Sequence, residues 1–394
     1  MKFSAYASLA AALAAGALAA LVWTRSYPDR PDGFFRADMP DGAPHGTLIR
    51  TESFTRAVPD GAEARRILYT TELSDGTPAT ASAIVMWKPA AATGAPAPVI
   101  AWAQGTAGIS TGCGLSLQAN PFADIPAIPN LLDEGWVYVS SDYAGLTTPG
   151  PHPYLIGPGE AYSVLDAVHA AHEMDGPALA ADTLVWGHSQ GGHSALWTGR
   201  VAAGYAPDIS VKGVAAISPG ADLPELLKDM QAGLSRRILV AYAARAYSEA
   251  YPDVEFGKLV RAGVRWRARE LSRRCFPGPH DRVMIALAAG LDGPVLGPDR
   301  EAFVRHLKEN VPIGQYDMPV LILQGAEDEI VAADIQARFA GELCERGTVV
   351  DYHALPGRDH LSVVYADSAA IPTLMDWSRA RLKGAPAPTS CSAP

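Results

Sequence analysis

From Pro98 onward, short apolar runs alternate with segments of helical period. Val99–Ala103, Trp136–Ser140, Thr183–Trp186 and Val211–Ser218 have the continuous apolar character of strands buried on both faces. Between them Ile128–Glu134, Gly159–Met174 and Gly191–Gly204 carry helical periodicity, the first with Pro129 in its opening turn, where proline is tolerated. Strand, helix and strand in repetition predict an α/β fold with a mostly parallel sheet and helices on both faces. Upstream, Arg66–Glu72 and Ala79–Trp87 flank the turn signal Ser74-Asp75-Gly76 and predict two paired strands. Residues 24 to 60, rich in Pro, Asp and Gly, are expected to be an extended lead-in, and Pro89–Pro98 a loop.

The rhythm stops at Gly220. Residues 220–318 contain helical stretches and no convincing core strand. It resumes with Val320–Leu323, a helix from about Ala332 to Glu345, a strand Thr348–His353 and a final helix from about Leu361 to Leu382. The closing strands are needed to complete the sheet, so one α/β domain with a helical insertion explains the pattern better than two domains in series. The expected division is a core over 24–219 and 319–383, a helical cap over 220–318 and a flexible tail over 384–394. The insertion's Leu239, Val240, Tyr242, Tyr247, Tyr251, Phe256 and Trp266 are read mainly as the cap's own core.

The first 23 residues are a different kind of segment. Lys2 precedes an Ala/Leu-rich run from Phe3 to Trp23, with Ala17 and Ala19 as a candidate cleavage site. The run is also long enough to serve as a retained anchor. Both readings put the rest of the chain outside the cytoplasm, secreted or periplasmic. The four cysteines, Cys113, Cys275, Cys344 and Cys391, include no Cys-x-x-Cys pair, and export favours disulfides, for which three pairings exist. A net charge of −10 argues against nucleic acid, because no basic excess is available to neutralise phosphates. No metal or nucleotide motif is present, so neither a metal nor a cofactor is expected.

The chemistry centres on Gly187-His188-Ser189-Gln190-Gly191-Gly192, which follows a predicted strand and opens a predicted helix. That is the context of a nucleophile elbow, in which flanking glycines leave room for a tight turn that exposes the serine hydroxyl. A serine needs a base, and the base needs an orienting carboxylate. In the chain order Ser, Asp, His, the loop after Val320–Leu323 supplies Asp328, with Glu327 and Glu329 as rivals. His360 follows the last strand; its neighbour Asp359 is read as a surface residue or cap, since adjacent side chains seldom face one another. His169 and His172 on a helix, His353 in a strand and His193 at a helix start have structural readings, and His188 is expected beneath the nucleophile. The oxyanion of an acyl-transfer reaction needs N–H donors. Gln190 is one candidate, and Thr106 in the loop Gln104-Gly105-Thr106-Ala107-Gly108 the other, with Gly105 and Gly108 as alternatives. Asp142, after the strand ending at Ser140, either orients these loops or caps a turn.

Taken together, Trp102-Ala-Gln-Gly-Thr-Ala-Gly108 followed by Cys113, Ser140-Ser-Asp-Tyr-Ala-Gly-Leu146, the elbow, Gly325-Ala-Glu-Asp328 and Asp359-His360 resemble the secretory lipase family, the lipase A-like α/β-hydrolases. The resemblance implies a triacylglycerol lipase or broad esterase that acts on an ester or lipid substrate, touches lipid interfaces through its cap and needs no cofactor. It further implies disulfides Cys113–Cys275 and Cys344–Cys391. Gln104 departs from the family pattern, since many relatives carry histidine there. A secreted serine peptidase of the same fold and a non-enzymatic binding module are the alternative readings.

Overall fold

A computed structural model describes residues 2–40, 42–89, 95–123, 125–229, 233–276 and 281–391. In chain order the elements begin with α1 (Lys2–Arg25), β1 (Leu48–Phe54), β2 (Glu63–Glu72), β3 (Pro78–Trp87), β4 (Ala97–Ala103), α2 (Ile128–Asp133) and β5 (Val137–Ser141). They continue with α3 (Gly157–His172), β6 (Leu179–His188), α4 (Gln190–Tyr205) and β7 (Ser210–Ile217). Among the described residues six helices then precede the next strand: α5 (Leu223–Asp229), α6 (Leu234–Ala250), α7 (Phe256–Leu259), α8 (Arg265–Leu271), α9 (Arg282–Ala289) and α10 (Glu301–Glu309). The chain closes with β8 (Val320–Gly325), α11 (Ala333–Glu345), β9 (Val350–Leu355) and α12 (Ala370–Leu382). Residues 90–94 of the expected loop, and 230–232 and 277–280 of the insertion, lie outside the described residues.

The nine strands among the described residues join one sheet in the order β1-β2-β3-β5-β4-β6-β7-β8-β9. The first three and the β3–β5 pair are antiparallel, and every pair from β5 onward is parallel. The sheet has the expected α/β-hydrolase character. Its apolar runs are buried because helices cover both faces: Val99, Ala101, Val185 and Val214 pack with α3 and α4 on one side. Ile100, Trp102, Leu184 and Leu321 pack with α2 and α12 on the other. Alternation along each strand separates the two sets.

Three stretches differ from the sequence expectation. The lead-in holds a strand, β1, whose Arg50, Thr51, Glu52 and Ser53 give no apolar run because it is the sheet's outer edge. The expected helix from Leu361 is divided: a single 3-10 turn covers Ser362–Val364 and α12 begins at Ala370. Pro372 explains the restart, since its ring would clash with the preceding turn of a continuous helix but fits the first turn of a new one. The tail is not loose up to Cys391: the Ser390 N–H donates to Val350 O at 2.7 Å and the Tyr352 N–H to Ser390 Oγ at 2.9 Å. Residues 392–394 lie outside the described residues.

Both disulfides are those implied by the family resemblance, Cys113–Cys275 and Cys344–Cys391. The first ties the loop after β4 to the helical insertion, where Gly108 and Cys275 also pair as an isolated bridge. The insertion has its own core, in which Leu239, Val240, Tyr242, Tyr247 and Phe256 are buried. Trp266 instead is exposed and stacks on Trp23 from the end of α1. Beside it the buried Arg274 guanidinium lies over the rings of Trp23 and Tyr27, at 4.3 and 3.9 Å, and pairs with Glu270 at 2.8 Å. No helix among the described residues is long and apolar enough to cross a membrane. The retained-anchor reading of α1 gains no support from this.

The two disulfides span sequence separations of 162 and 47 residues. Chain entropy grows with the logarithm of loop length, so the Cys113→Ser/Cys275→Ser variant should lose about 1 kcal/mol more stability than Cys344→Ser/Cys391→Ser. Urea unfolding of both double variants checks this, and a reversed order contradicts it.

Candidate active site

The elbow is built by close backbone contact. Ser189 joins β6 to α4 with φ 58° and ψ −119°, a conformation that costs a non-glycine residue about 1–3 kcal/mol. Neighbours hold it there: its N–H donates to Ile217 O at 2.9 Å, and its carbonyl accepts from Gly220 N–H at 3.1 Å. The glycines are sterically required. A Cβ on Gly187 would lie 2.0 Å from Gly191 O, and one on Gly191 1.9 Å from Ala103 O.

Three side chains meet at this corner. His360 Nε2 lies 2.9 Å from Ser189 Oγ, and His360 Nδ1 lies 2.7 Å from Asp328 Oδ2. Asp328 and His360 are each 6% exposed, while Ser189 is half-buried. The rivals for the acid separate by exposure, because Glu327 and Glu329 point into solvent. The Ile330 and Val331 N–H groups both donate to Asp328 Oδ1 at 2.8 Å, and Gln324 Nε2 donates to Oδ2 at 3.1 Å. Burial disfavours the Asp328 charge, but the His360 hydrogen bond, the His360 charge and these N–H groups together hold its carboxyl below the usual range. Asp359 faces away and caps the turn, accepting from the Leu361 and Ser362 N–H groups at 3.1 and 2.7 Å.

His188 contacts the base from behind. Its Nε2–H donates to the His360 carbonyl at 2.7 Å, and the two rings are 4.9 Å apart. Burial first, and proximity to His360 second, push its pKa down to about 3, so the ring is neutral.

Gln190 opens α4, and N–H groups in the first turn of a helix have no intrahelical acceptor. Across from it, Thr106 Oγ1 lies 3.0 Å from the hydroxyl of buried Tyr154. Gly108 is instead engaged beside the Cys113–Cys275 bridge. Gln104 is buried, and its Nε2 donates to Asp142 O at 3.2 Å. Asp142 Oδ1 accepts from Ser116 N–H at 2.8 Å and Oδ2 from Ser82 Oγ at 2.5 Å, joining the post-β4 loop to β3. Burial raises its pKa.

Two supporting residues escaped the sequence reading. Glu160 of α3 is fully buried; Oε1 accepts from Gln190 Nε2 at 2.7 Å and from Leu155 N–H at 2.9 Å, and Oε2 faces His193 Nδ1 at 3.0 Å. It thereby links the first turn of α4 to the loop before α3. Gln324, which holds Asp328, sits at the end of β8. For Gln324 the available signal was a polar side chain ending an apolar strand, where burial requires a partner.

The family model for secretory lipases matches residues 115–270. A protein of Mycobacterium tuberculosis named a probable inactive lipase is 25% identical over 364 residues, 86% of this chain and 79% of that one. Among solved structures, lipase A of Candida antarctica in its closed state superposes with a TM-score of 0.72 at 19% identity, over 92% of this chain and 88% of the other. LipA of Xanthomonas oryzae, a rice cell wall degrading esterase, gives 0.68 at 21% identity, over 86% and 97%. By these matches the chain has the α/β-hydrolase fold and is similar to secretory lipases over its central part.

Proposed function

We propose that this chain is an exported serine hydrolase of carboxylic esters, a triacylglycerol lipase or broad esterase acting through an acyl-enzyme on Ser189. The observation that carries the reading is the unbroken hydrogen-bonded series from Ser189 through His360 to Asp328. In this mechanism His360 Nε2 takes the Ser189 proton as Oγ attacks the ester carbonyl, and Asp328 holds the ring's tautomer and balances the imidazolium. The N–H groups of Gln190 and Thr106 stabilise the oxyanion. His360 then protonates the departing alcohol and, in deacylation, activates water. The helical insertion acts as a cap that receives the acyl chain, each buried methylene contributing about 0.8 kcal/mol. Export is supported by two disulfides and by the family's secretory character.

The relative named a probable inactive lipase raises a non-enzymatic reading. A fluorophosphonate probe separates the two: it should label Ser189 in the native protein, and absence of labelling would favour the binding role. Ser189→Ala should lower hydrolysis of p-nitrophenyl esters by about 10⁴-fold or more while the protein stays folded. Undiminished turnover by that variant rejects the assignment. Rates from p-nitrophenyl acetate to palmitate, beside a triglyceride emulsion, then divide esterase from lipase.

The neutral His188 behind the base has a pH consequence. Its pKa is about 3 in the folded chain against an ordinary 6.5, so the unfolded state binds more protons between these values. Its contribution to stability is complete above pH about 6.5 and is lost progressively as pH falls toward about 3. His152, buried and lowered to about 4, acts in the same direction. The His188→Asn variant should show a shallower decline in urea midpoint between these limits than the parent. An unchanged slope would mean that His188 titrates normally.

A further inference from the structure

On the face of the sheet covered by α3, remote in sequence from the elbow, three donors from two parts of the chain converge. His45 in the lead-in, and Asp166 and His169 one turn apart on α3, bring Nδ1, a carboxylate oxygen and a ring nitrogen within 4.8 Å of one another. Asp166 is fully buried, with His45 Nδ1 2.7 Å from its Oδ1 and Tyr205 Oη donating to its Oδ2 at 2.9 Å. The His45 and His169 side chains are 29% and 20% exposed, so a solute can reach the donors.

We infer that His45, Asp166 and His169 form a binding site for a divalent transition-metal ion of the zinc type.

The separations favour an ion over a plain ion-pair network. His169 Nδ1 lies 3.9 Å from Asp166 Oδ1, too far for a hydrogen bond. Ligands of tetrahedral zinc, at bond lengths of about 2.0–2.1 Å, stand about 3.3 Å apart. The 2.7 and 3.9 Å spacings to Asp166 bracket that value, and the two ring nitrogens lie within 4.8 Å of each other, so rotation of the partly exposed imidazoles brings the three donors around one ion. The other His169 nitrogen, Nε2, lies 3.0 Å from Asp208 Oδ1. A carboxylate on the far side of a histidine ring places the proton there and leaves the opposite lone pair for a metal. With the ring neutral and its proton on Nε2, Nδ1 and the Asp166 carboxylate face each other as two acceptors, an arrangement that a cation satisfies.

The local backbone presents these donors in advance. Gly46, at φ +78°, has no Cβ, and one would stand 2.7 Å from His169 Cβ. Either side of His45 is tied to Thr70 on β2: Thr70 Oγ1 donates to Pro44 O at 2.7 Å, and the Gly46 N–H donates to Thr70 O at 2.8 Å. The His45 ring stacks on Tyr205 at 4.1 Å. Two histidines and one carboxylate suit zinc or its neighbours better than calcium, which takes six or more oxygens. Binding releases the proton shared by His45 and Asp166 to solvent, and water completes the coordination. The ion clips the lead-in to α3 and, through Asp208, to the turn before β7.

The test uses full-length protein stripped with a chelator. At neutral pH, calorimetric titration with Zn²⁺ should show one site per chain, and Tm should rise on zinc addition. Co²⁺ should give the visible bands of a nitrogen–oxygen site, and Zn²⁺ should protect His45 and His169 from diethyl pyrocarbonate, as mapped by mass spectrometry. The His45→Asn/His169→Asn variant should lose the zinc-dependent rise in Tm but retain ester turnover, and Asp208→Ala should weaken binding about 10–100-fold. Absence of binding by the parent protein overturns the proposal. So does binding that leaves both histidines unprotected or survives their replacement; because protection is read on the parent protein, the test stands even if the variant fails to fold.

Discussion

The constraint on which the rest depends is the left-handed turn at Ser189. A non-glycine residue at φ 58° is held there only because the sheet is already assembled around it. Its N–H needs the end of β7, and Gly191 needs the bare carbonyl of Ala103 at the end of β4. Strands on both sides of β6 must therefore be in register before the hydroxyl is presented. The parallel arrangement then brings the loops after β8 and β9 to the same rim, which is why residues 139 and 171 positions downstream arrive beside the serine.

Around that turn lies a set of buried polar groups, each holding one part of the site. Glu160 joins α3 to the first turn of α4, Asp142 joins the post-β4 loop to β3, and His188 holds the backbone of the base. Unpartnered, such groups would be costly in a core; partnered, they specify one arrangement of loops that apolar packing alone would leave loose.

Periodicity revealed the parallel strands because burial on both faces leaves an uninterrupted apolar run, and Gly187 and Gly191 marked the elbow because backbone approaches where a side chain would stand. Asp328 and His360 were legible from order along the chain, each following a strand. What composition hid is instructive in the same terms. β1 is an edge strand with mixed polarity, so it resembled the surrounding loop. The Ala/Pro-rich tail suggested freedom, but Ser390 and Cys391 fix it to β9 and α11. Glu160 gave no pattern because its partners come from distant segments, and His45 gave none because its companions Asp166 and His169 lie on α3.

The shelter around Arg274 bears on maturation. Trp23 and Tyr27 form two walls for that guanidinium, and Ser26 Oγ accepts from its Nε at 2.8 Å. A leader peptidase cutting after Ala19 would leave these walls standing, whereas a cut beyond Tyr27 would strip a cation of its aromatic cover and leave Glu270 as its main counterweight. The end of the apolar run and the residues just past it thus behave as part of the folded body, which limits how far trimming could proceed before the insertion loses a support.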